Sequence, residues 1–293
     1  MQYFTEANSV EAVLARMTDC PDPRLRQVME SVVRHLHAVV KEVEPTMEEW
    51  FQAIGFLTAT GQICDDKRQE WILLSDTLGV SMLVDAINNR KHQGGTESTV
   101  IGPFHVAGAP RVGMGESIAR DDKGEPAFIE GRVLDVDGKP VEGAELDVWQ
   151  ASDDGFYDIQ QPGVQPEMNL RGRFTTGADG RFWFWTVKPS PYPIPTDGPV
   201  GRMLDSLGRH PYRPAHIHFI VSAPGFDAVT THLFVEGGAY LDSDAVFGVK
   251  DSLVVPFRQV TDAGEIDRAG AAGPFWRTEF DFTLEKSAAS KAA

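Results

Sequence analysis

The sequence predicts an α+β protein in which an N-terminal all-helical layer is followed by an antiparallel β-sandwich. Apolar residues repeat with the period of a helix from residue 9 to about 91, and beyond residue 115 they alternate along short segments. A glycine-rich stretch, HQGGTESTVIGPFHVAGAPRVGMG, separates the two patterns. We therefore predict a helical domain over 1–100, a β-sandwich domain over 101–286 and a disordered tail over 287–293.

The clearest helical segment follows Asp22 and Pro23, which suit the N-cap and the first turn of a helix. Thr46 and Glu49 form a capping box for the next helix. The apolar residues of the first segment are spaced so that they share one helix face: Leu25, Val28, Met29, Val32, Val33, Leu36, Val39 and Val40.

The second half contains short segments of alternating apolar residues, such as Ile217, Phe219 and Val221, which would face one side of a strand. Dipeptides that favour tight turns separate these segments: Asp137-Gly138, Asp179-Gly180, Pro224-Gly225 and Gly237-Gly238. This spacing of short strands and turns is typical of a β-sandwich.

Charge and hydropathy exclude several classes of function. The net charge of -16 and the pI of about 4.9 oppose binding to nucleic acid, because such binding depends on lysine and arginine. The sequence has no signal peptide pattern and no apolar stretch that could span a membrane, so we expect a cytoplasmic protein. Cys20 and Cys64 are expected to be reduced packing thiols.

Two His-x-His pairs occur, His35-Leu36-His37 and His216-Ile217-His218. On a helix, residues two apart point roughly 200° away from each other, so the first pair cannot share an ion. On a strand, the same spacing puts both imidazoles on one face, so only the second pair is predicted to chelate a metal. We predict no ligand role for four histidines that stand singly: His92, His105, His210 and His232.

Two tyrosines lie in segments with unusual sequences, Tyr157 in SDDGFYD and Tyr192 in KPSPYPIPTDGPVG. The run FIEGRVLDVDGKPVEGAELDVWQASDDGFY resembles the signature of the intradiol dioxygenase family. It is followed, at similar distances, by PYPIPTDGP and by RPAHIHF, which contains Arg213. The resemblance spans most of residues 101–260 and makes the second domain the catalytic one.

The resemblance implies one Fe(III) per chain, bound by two phenolates and two imidazoles: Tyr157, Tyr192, His216 and His218. Two anionic phenolates favour the trivalent ion over Fe(II). It also implies two catalytic residues. Tyr192, displaced by a catechol-type substrate, accepts a proton, and the cation of Arg213 stabilises negative charge on the substrate ring.

The resemblance also implies a set of residues that line the substrate pocket: Leu73, Asp76, Ile101, Gly102, Pro103, Phe104, Ile194, Pro195, Arg213 and Val246. A carboxylate such as Asp76 in an aromatic pocket needs a hydrogen-bond donor, and a third ring hydroxyl would supply one. The combination of LLSD, VIGPFH and YPIPTDGPVG is most similar to the hydroxyquinol 1,2-dioxygenases of the family. The expected product is 3-hydroxy-cis,cis-muconate, which tautomerises to maleylacetate.

Other interpretations of the sequence stay open. The substrate could be catechol or chlorocatechol. The β-rich half also resembles prealbumin-like domains, which would make the protein a non-catalytic binding module. A Zn(II) or Fe(II) enzyme could instead use His216 and His218 with a carboxylate such as Asp158. As partners, the family resemblance implies a small aromatic diol or triol, dioxygen, and a second copy of the chain, in a homodimer formed through the helical domain with phospholipid as an additional ligand.

Overall fold

The computed structural model describes residues 3–66, 68–121 and 123–287. The chain forms two compact units, Met1–Gln62 and Ile63–Ala293. The α+β class is confirmed, because helices occupy the N-terminal part and two sheets follow. The domain limits 1–100 and 101–286 stay a prediction, and all but the first residue of the expected tail lies outside the described residues.

The first unit consists of helices α1 (Ser9–Leu14), α2 (Pro23–Val43) and α3 (Met47–Gln62). The Asp22 side chain caps α2 by accepting hydrogen bonds from the backbone N–H groups of Arg24 and Leu25. The predicted capping box is also present, because Thr46 N–H donates to Glu49 Oε2 at 2.7 Å and Glu49 N–H donates to Thr46 Oγ1 at 3.2 Å.

The second unit contains helices α4 (Glu70–Thr77), α5 (Val80–Asn88), α6 (Pro199–Ser206) and α7 (Ala263–Ala269). Glu70 ties α4 to α6, because its buried carboxylate accepts a hydrogen bond from Val200 N–H in the first turn of α6. Arg68 pairs with the same carboxylate at 2.9 Å. This contact fixes the helix that carries Leu73 and Asp76. Among the described residues, no helix is both long and apolar enough to cross a membrane.

The strands of the second unit are β1 (Pro126–Asp135), β2 (Glu145–Gln150), β3 (Arg171–Thr175), β4 (Arg181–Val187), β5 (Tyr192–Pro193), β6 (Tyr212–Arg213), β7 (His216–Ser222), β8 (Val229–Val235), β9 (Val254–Val255), β10 (Arg258–Val260), β11 (Phe275–Glu279) and β12 (Phe282–Leu284). One sheet has the order β10-β11-β1-β12, with β4 also paired to β1. The other has the order β3-β2-β7-β8-β9, and β5 and β6 form a short ribbon.

The two five-stranded sheets pack face to face around an apolar core. Phe184 and Phe282 from the first sheet lie against Phe219 from the second, with ring centroids 6.4 and 4.9 Å from it. The alternating apolar residues of β7 all enter this core, as the strand period predicts. The sandwich is therefore present as expected.

The direction of several strands differs from the prediction of an antiparallel sandwich. β1 is antiparallel to β4 but parallel to β11 and β12, and β9 is parallel to β8. Alternation of apolar residues reports which face of a strand is buried, and it carries no information on the direction of the neighbouring strand. The sheets are therefore mixed.

Candidate metal centre and active site

The second His-x-His pair lies on strand β7, near the middle of its sheet. Ile217 and Phe219 point into the sandwich core, so His216 and His218 point to the opposite face of the sheet. Both imidazoles are buried, with 2% and 1% of their surface exposed. The first pair lies in α2, so its two side chains point away from each other, as predicted, and His35 is exposed while His37 is half-buried.

The two tyrosines reach the same face of the sheet from separate loops. Tyr157 follows Gly155, whose φ of +81° is a conformation that glycine adopts without strain. A Cβ atom on Gly155 would also lie only 3.2 Å from Tyr192 Cβ, so this glycine lets the two tyrosine loops approach. Tyr192 lies in β5, directly opposite Arg213 in β6.

The side-chain donor atoms of these four residues converge at one point. Tyr157 Oη lies 2.9 Å from His218 Nε2 and 3.3 Å from Tyr192 Oη. His216 Nε2 lies 3.1 Å from His218 Nε2. All four side chains are buried. Two phenol oxygens and two imidazole nitrogens therefore meet in a site from which water is largely excluded.

The hydrogen bond of His216 determines which of its nitrogens can bind a metal. Its Nδ1 lies 2.7 Å from the carbonyl oxygen of Pro214, which can only accept, so Nδ1 carries the hydrogen. Burial, with the nearby charge of Arg213, lowers the pKa of His216 to about 3 and keeps the ring neutral. Its Nε2 therefore carries the lone pair and lies at the point of convergence, as a metal ligand must.

Burial also favours the neutral forms of His218 and Tyr157. It lowers the pKa of His218 well below its usual value, with added repulsion from His232 and His216. Burial also raises the pKa of the Tyr157 phenol, and so does the neighbouring Tyr192. The protein environment thus favours the neutral forms of His216, His218 and Tyr157, and a bound cation is what would favour a phenolate.

Two family models match the chain. The one described as "Dioxygenase" matches residues 100–285, and the one described as "Catechol dioxygenase N terminus" matches residues 22–96. The chain belongs to the intradiol dioxygenase family. This membership tells against the alternative of a non-catalytic, prealbumin-like binding module.

Individual relatives are similar over nearly the whole chain. A hydroxyquinol 1,2-dioxygenase from Rhizobium sp. is 60% identical, over 97% of both chains. A 6-chlorohydroxyquinol 1,2-dioxygenase from Cupriavidus pinatubonensis is 51% identical, over 97% of this chain and 99% of that protein. The crystal structure of hydroxyquinol 1,2-dioxygenase from Pseudomonas putida DLL-E4 superimposes with a TM-score of 0.92 and 53% identity, covering 96% of this chain and 99% of that one.

In this intradiol dioxygenase, Arg213 lies beside the converging donors. Its Nη1 is 3.5 Å from Tyr192 Oη and 3.2 Å from His216 Nε2. Burial disfavours its charge, but attraction to Asp244 and to the two tyrosines outweighs burial and keeps its pKa above the usual value. A permanent cation is therefore held against the tyrosine that the family resemblance predicts to be displaced by substrate.

Asp244 holds this arginine, although no sequence pattern marks it as a site residue. Its Oδ1 accepts from Arg213 Nε at 3.1 Å and from Val246 N–H at 3.2 Å, and its Oδ2 accepts from Gly248 N–H at 2.9 Å. Burial alone would raise the pKa of Asp244, but the charge of Arg213 keeps it below the usual value. One carboxylate thus fixes both the cation and the loop of Val246.

His232, which we did not predict as part of the site, lies next to the two histidines of β7. It sits on β8 directly opposite His218, and ligand atoms of His216, His218 and His232 lie within 4.8 Å of one another. Its Nδ1 is 3.5 Å from Arg213 Nη2, which can only donate, so Nδ1 acts as an acceptor. The pairing of two strands brings this residue into the site, and a lone histidine in the sequence gives no sign of it.

Aromatic residues hold the donors in place. Trp149 stacks on His218 with ring centroids 4.6 Å apart and planes 12° apart. Phe104 stacks on Tyr157 at 4.5 Å. Gly102 has a φ of +74°, and a Cβ at this position would lie 3.4 Å from His218 Cε1. The loop of Gly102 and Phe104 therefore lies directly against His218 and Tyr157.

The other residues predicted to line the substrate pocket differ in how exposed they are. Asp76 is buried and close enough to Arg213 for their charges to interact. Three more are buried, and one of them, Val246, lies on the Asp244 loop. Ile101 and Pro103 are exposed, and Pro195 is half-buried. The buried members besides Asp76 are Leu73, Ile194 and Val246.

The alternative of a Zn(II) or Fe(II) site completed by Asp158 does not agree with the geometry. Both carboxylate oxygens of Asp158 are engaged elsewhere, Oδ1 with Arg171 and Oδ2 with Met168 N–H. Among the histidines, cysteines and carboxylates of the described residues, the group with metal-ligand spacing consists of histidines alone. The remaining donors at this centre are the two phenols.

Proposed function

We propose that this chain cleaves hydroxyquinol, benzene-1,2,4-triol, between the two adjacent carbons that bear hydroxyl groups. Dioxygen is the second substrate, and both of its atoms enter the product, 3-hydroxy-cis,cis-muconate, which tautomerises to maleylacetate. The names of the Rhizobium and Pseudomonas relatives support this substrate. The observation in this chain that carries the proposal is the buried carboxylate of Asp76.

We propose that Tyr157, Tyr192, His216 and His218 hold one Fe(III) per chain. The support is the donor set, two phenols and two neutral imidazoles with each donor atom within 3.3 Å of another. Phenolates are hard anionic ligands and favour the trivalent ion. When bound, Fe(III) supplies a Lewis-acidic centre that two adjacent ring oxygens can chelate and that makes the ring reactive towards dioxygen.

The residues around this centre would handle protons and charge. A catechol-type substrate must lose protons as it binds, and the Tyr192 oxygen is positioned to accept one of them. Arg213, 3.5 Å from that oxygen, would stabilise negative charge on the substrate oxygens without any need to reorient. Asp244 keeps the guanidinium in place for this role.

Asp76 is the residue that would distinguish a triol from a diol. It is 7% exposed, and burial raises its pKa, against the lowering effects of a hydrogen bond from Ser81 and of the Arg213 charge. A buried carboxylate is stabilised by each further donor that it acquires. The third hydroxyl of hydroxyquinol can be that donor, and catechol has no equivalent group.

The test is a comparison of kcat/KM for hydroxyquinol and catechol, measured by oxygen uptake after subtraction of the uncatalysed oxidation of hydroxyquinol. We expect a preference for hydroxyquinol that falls by about 10-fold or more in Asp76→Ala, the effect of one lost buried polar contact. Asp66 is an exposed carboxylate before α4, and Asp66→Ala should leave the ratio of the two kcat/KM values unchanged.

Three other outcomes would each contradict a part of this proposal. A wild-type preference for catechol would keep ring cleavage and overturn the substrate. An unchanged ratio in Asp76→Ala would show that Asp76 does not select the triol. Failure to turn over either ring would overturn the proposed activity.

We also propose that the chain forms a homodimer through its helical domain, with phospholipid as an additional ligand. The support from this chain is the apolar face of α2, on which Leu36, Val39 and Val40 are more than half exposed. Native mass spectrometry of the purified protein would show the dimer and any retained lipid, and a monomer at micromolar concentration would contradict the proposal.

A further inference from the structure

Four residues form a row across the sheet that carries the histidines. Trp149 on β2 lies directly opposite Arg171 on β3 and also directly opposite His218 on β7, while His218 lies opposite His232 on β8. Residues that are directly opposite one another point to the same face of a sheet. Arg171 therefore lies on the same face as the metal-binding atoms, two strands away from His218.

Arg171 is buried and depends on a single carboxylate. It is 1% exposed, and its Nε and Nη2 donate to Asp158 Oδ1 at 2.8 and 2.6 Å. Its Nη1 is also buried and has no hydrogen-bond partner within the described part of the chain. A buried cation with one anionic partner is costly, and the loss of that partner leaves an uncompensated charge.

Asp158 immediately follows Tyr157 and closes the loop that leads from this tyrosine to β3. Its Oδ2 accepts from Met168 N–H at 3.0 Å. Met168 and Leu170 both have a φ of +57°, which residues other than glycine rarely adopt. This loop therefore needs contacts that hold its shape. Gln160 adds a second restraint, because its Oε1 accepts from Tyr157 N–H at 2.9 Å.

These contacts form a closed ring that includes two of the predicted metal ligands, Tyr157 and His218. Tyr157 bonds to His218, His218 stacks on Trp149, Trp149 lies beside Arg171, and Arg171 is paired with Asp158, the neighbour of Tyr157. Two predicted ligands from different elements are thus linked both directly and through the ion pair. The Arg171–Asp158 ion pair is the only charged part of this ring of contacts.

We propose that Asp158 and Arg171 are positioning residues that hold the Tyr157 phenol against His218 Nε2. The hydrogen bonds of the two side chains go to each other and to Met168 N–H, and the pair acts by fixing the loop that carries Tyr157. This inference rests on the proposed function, because it assumes that Tyr157 binds the iron. Positioning by contacts outside the ligand shell affects how tightly a metal is held and how its ligands bind it.

The experiment compares Asp158→Asn with wild type, both loaded with Fe(III). The readouts are the rate of iron release to a chelator, the tyrosinate-to-iron absorption band and the melting temperature. We expect release to be about 10-fold faster or more, with a shifted or weakened band. Asp281→Asn is the matched control, since it removes the same group from the Arg132–Asp281 pair, whose side chains are 48% and 30% exposed. It should leave all three readouts near wild type.

A second variant separates positioning from stability. Asp158→Leu combined with Arg171→Met removes both charges and leaves no unpaired buried ion, a replacement that proteins often tolerate. If this variant folds and also releases iron faster, the pair positions Tyr157. A lowered melting temperature with an unchanged band and an unchanged release rate, in either variant, would overturn the inference. A wild-type protein that binds no iron with a tyrosinate band would overturn the proposed function, and this inference with it.

Discussion

The same tripeptide pattern occurs twice in this chain, and the two copies lie in opposite environments. His35-Leu36-His37 lies in α2, where Leu36 is 60% exposed. His216-Ile217-His218 lies in β7, where Ile217 is completely buried and both histidines are buried on the other face. Each pair follows an arginine closely. Arg34 pairs with Glu30 on the surface at 3.3 Å, and Arg213 pairs with the buried Asp244 at 3.1 Å.

The comparison shows that backbone period decides what a short motif can do. A helix turns the two imidazoles away from each other, and a strand places them side by side. The strand also sets their surroundings. Its apolar residues fill the core, and the opposite face is covered by Tyr157, Tyr192 and Trp149, so that the imidazoles are neutral and their ligand atoms converge.

The largest difference should appear in metal binding. We predict that His218→Ala lowers the affinity for iron by at least about 100-fold and abolishes the tyrosinate-to-iron colour, because it removes one of four donors. The double variant His35→Ala/His37→Ala should bind iron like wild type. Metal analysis and a visible spectrum of each purified protein provide the measurement. A coloured, iron-replete His218→Ala protein would refute the ligand set.

The central residues of the two tripeptides should differ in their contribution to stability. Ile217→Ala should lower the free energy of unfolding of the metal-free protein by about 2–5 kcal/mol, since it leaves a cavity between the two sheets. At protein concentrations low enough for the chain to be monomeric, Leu36→Ala should change it by no more than about 0.5 kcal/mol. Denaturant unfolding measures both values. Equal costs in the monomer would contradict the burial of Ile217 and the exposure of Leu36, and a cost for Leu36→Ala that grows with protein concentration is the result expected from the proposed dimer interface at α2.

The two arginine pairs should differ in their effect on catalysis. Asp244→Asn should lower kcat/KM by about 100-fold, because Arg213 loses its buried counter-charge beside Tyr192. Glu30→Gln removes the partner of Arg34 at the surface and should leave kcat/KM unchanged. Steady-state kinetics with the preferred ring substrate would show this. An Asp244→Asn enzyme with wild-type kcat/KM would show that the carboxylate is not needed to hold the arginine.

Features that depend on neighbouring residues in the chain could be predicted from the sequence. The cap at Asp22, the turns at Gly138 and Gly180, and the shared face of His216 and His218 all follow from local rules and all occur in the structure. The family resemblance supplied the tyrosines, whose loops contain no metal-binding pattern of their own.

Features that depend on strand pairing could not be predicted. His232 joins the site only because β8 pairs with β7 in a register that puts it opposite His218, and a single sequence does not reveal register. Asp244 reaches Arg213 from a loop 31 residues further along the chain. The parallel pairing of β1 with β11 and β12 likewise arises from long-range connections, which alternation along one strand does not encode.

We propose that the four converging donors form an iron centre that opens hydroxyquinol between its adjacent hydroxyl groups. The decisive experiment is to react the iron-loaded protein with hydroxyquinol under isotopically labelled dioxygen and to identify the product by mass spectrometry. We expect 3-hydroxy-cis,cis-muconate or maleylacetate that contains both atoms of the labelled dioxygen. A product cleaved at any bond other than the one between the two adjacent hydroxyl-bearing carbons, or a quinone without labelled oxygen, would contradict the proposal.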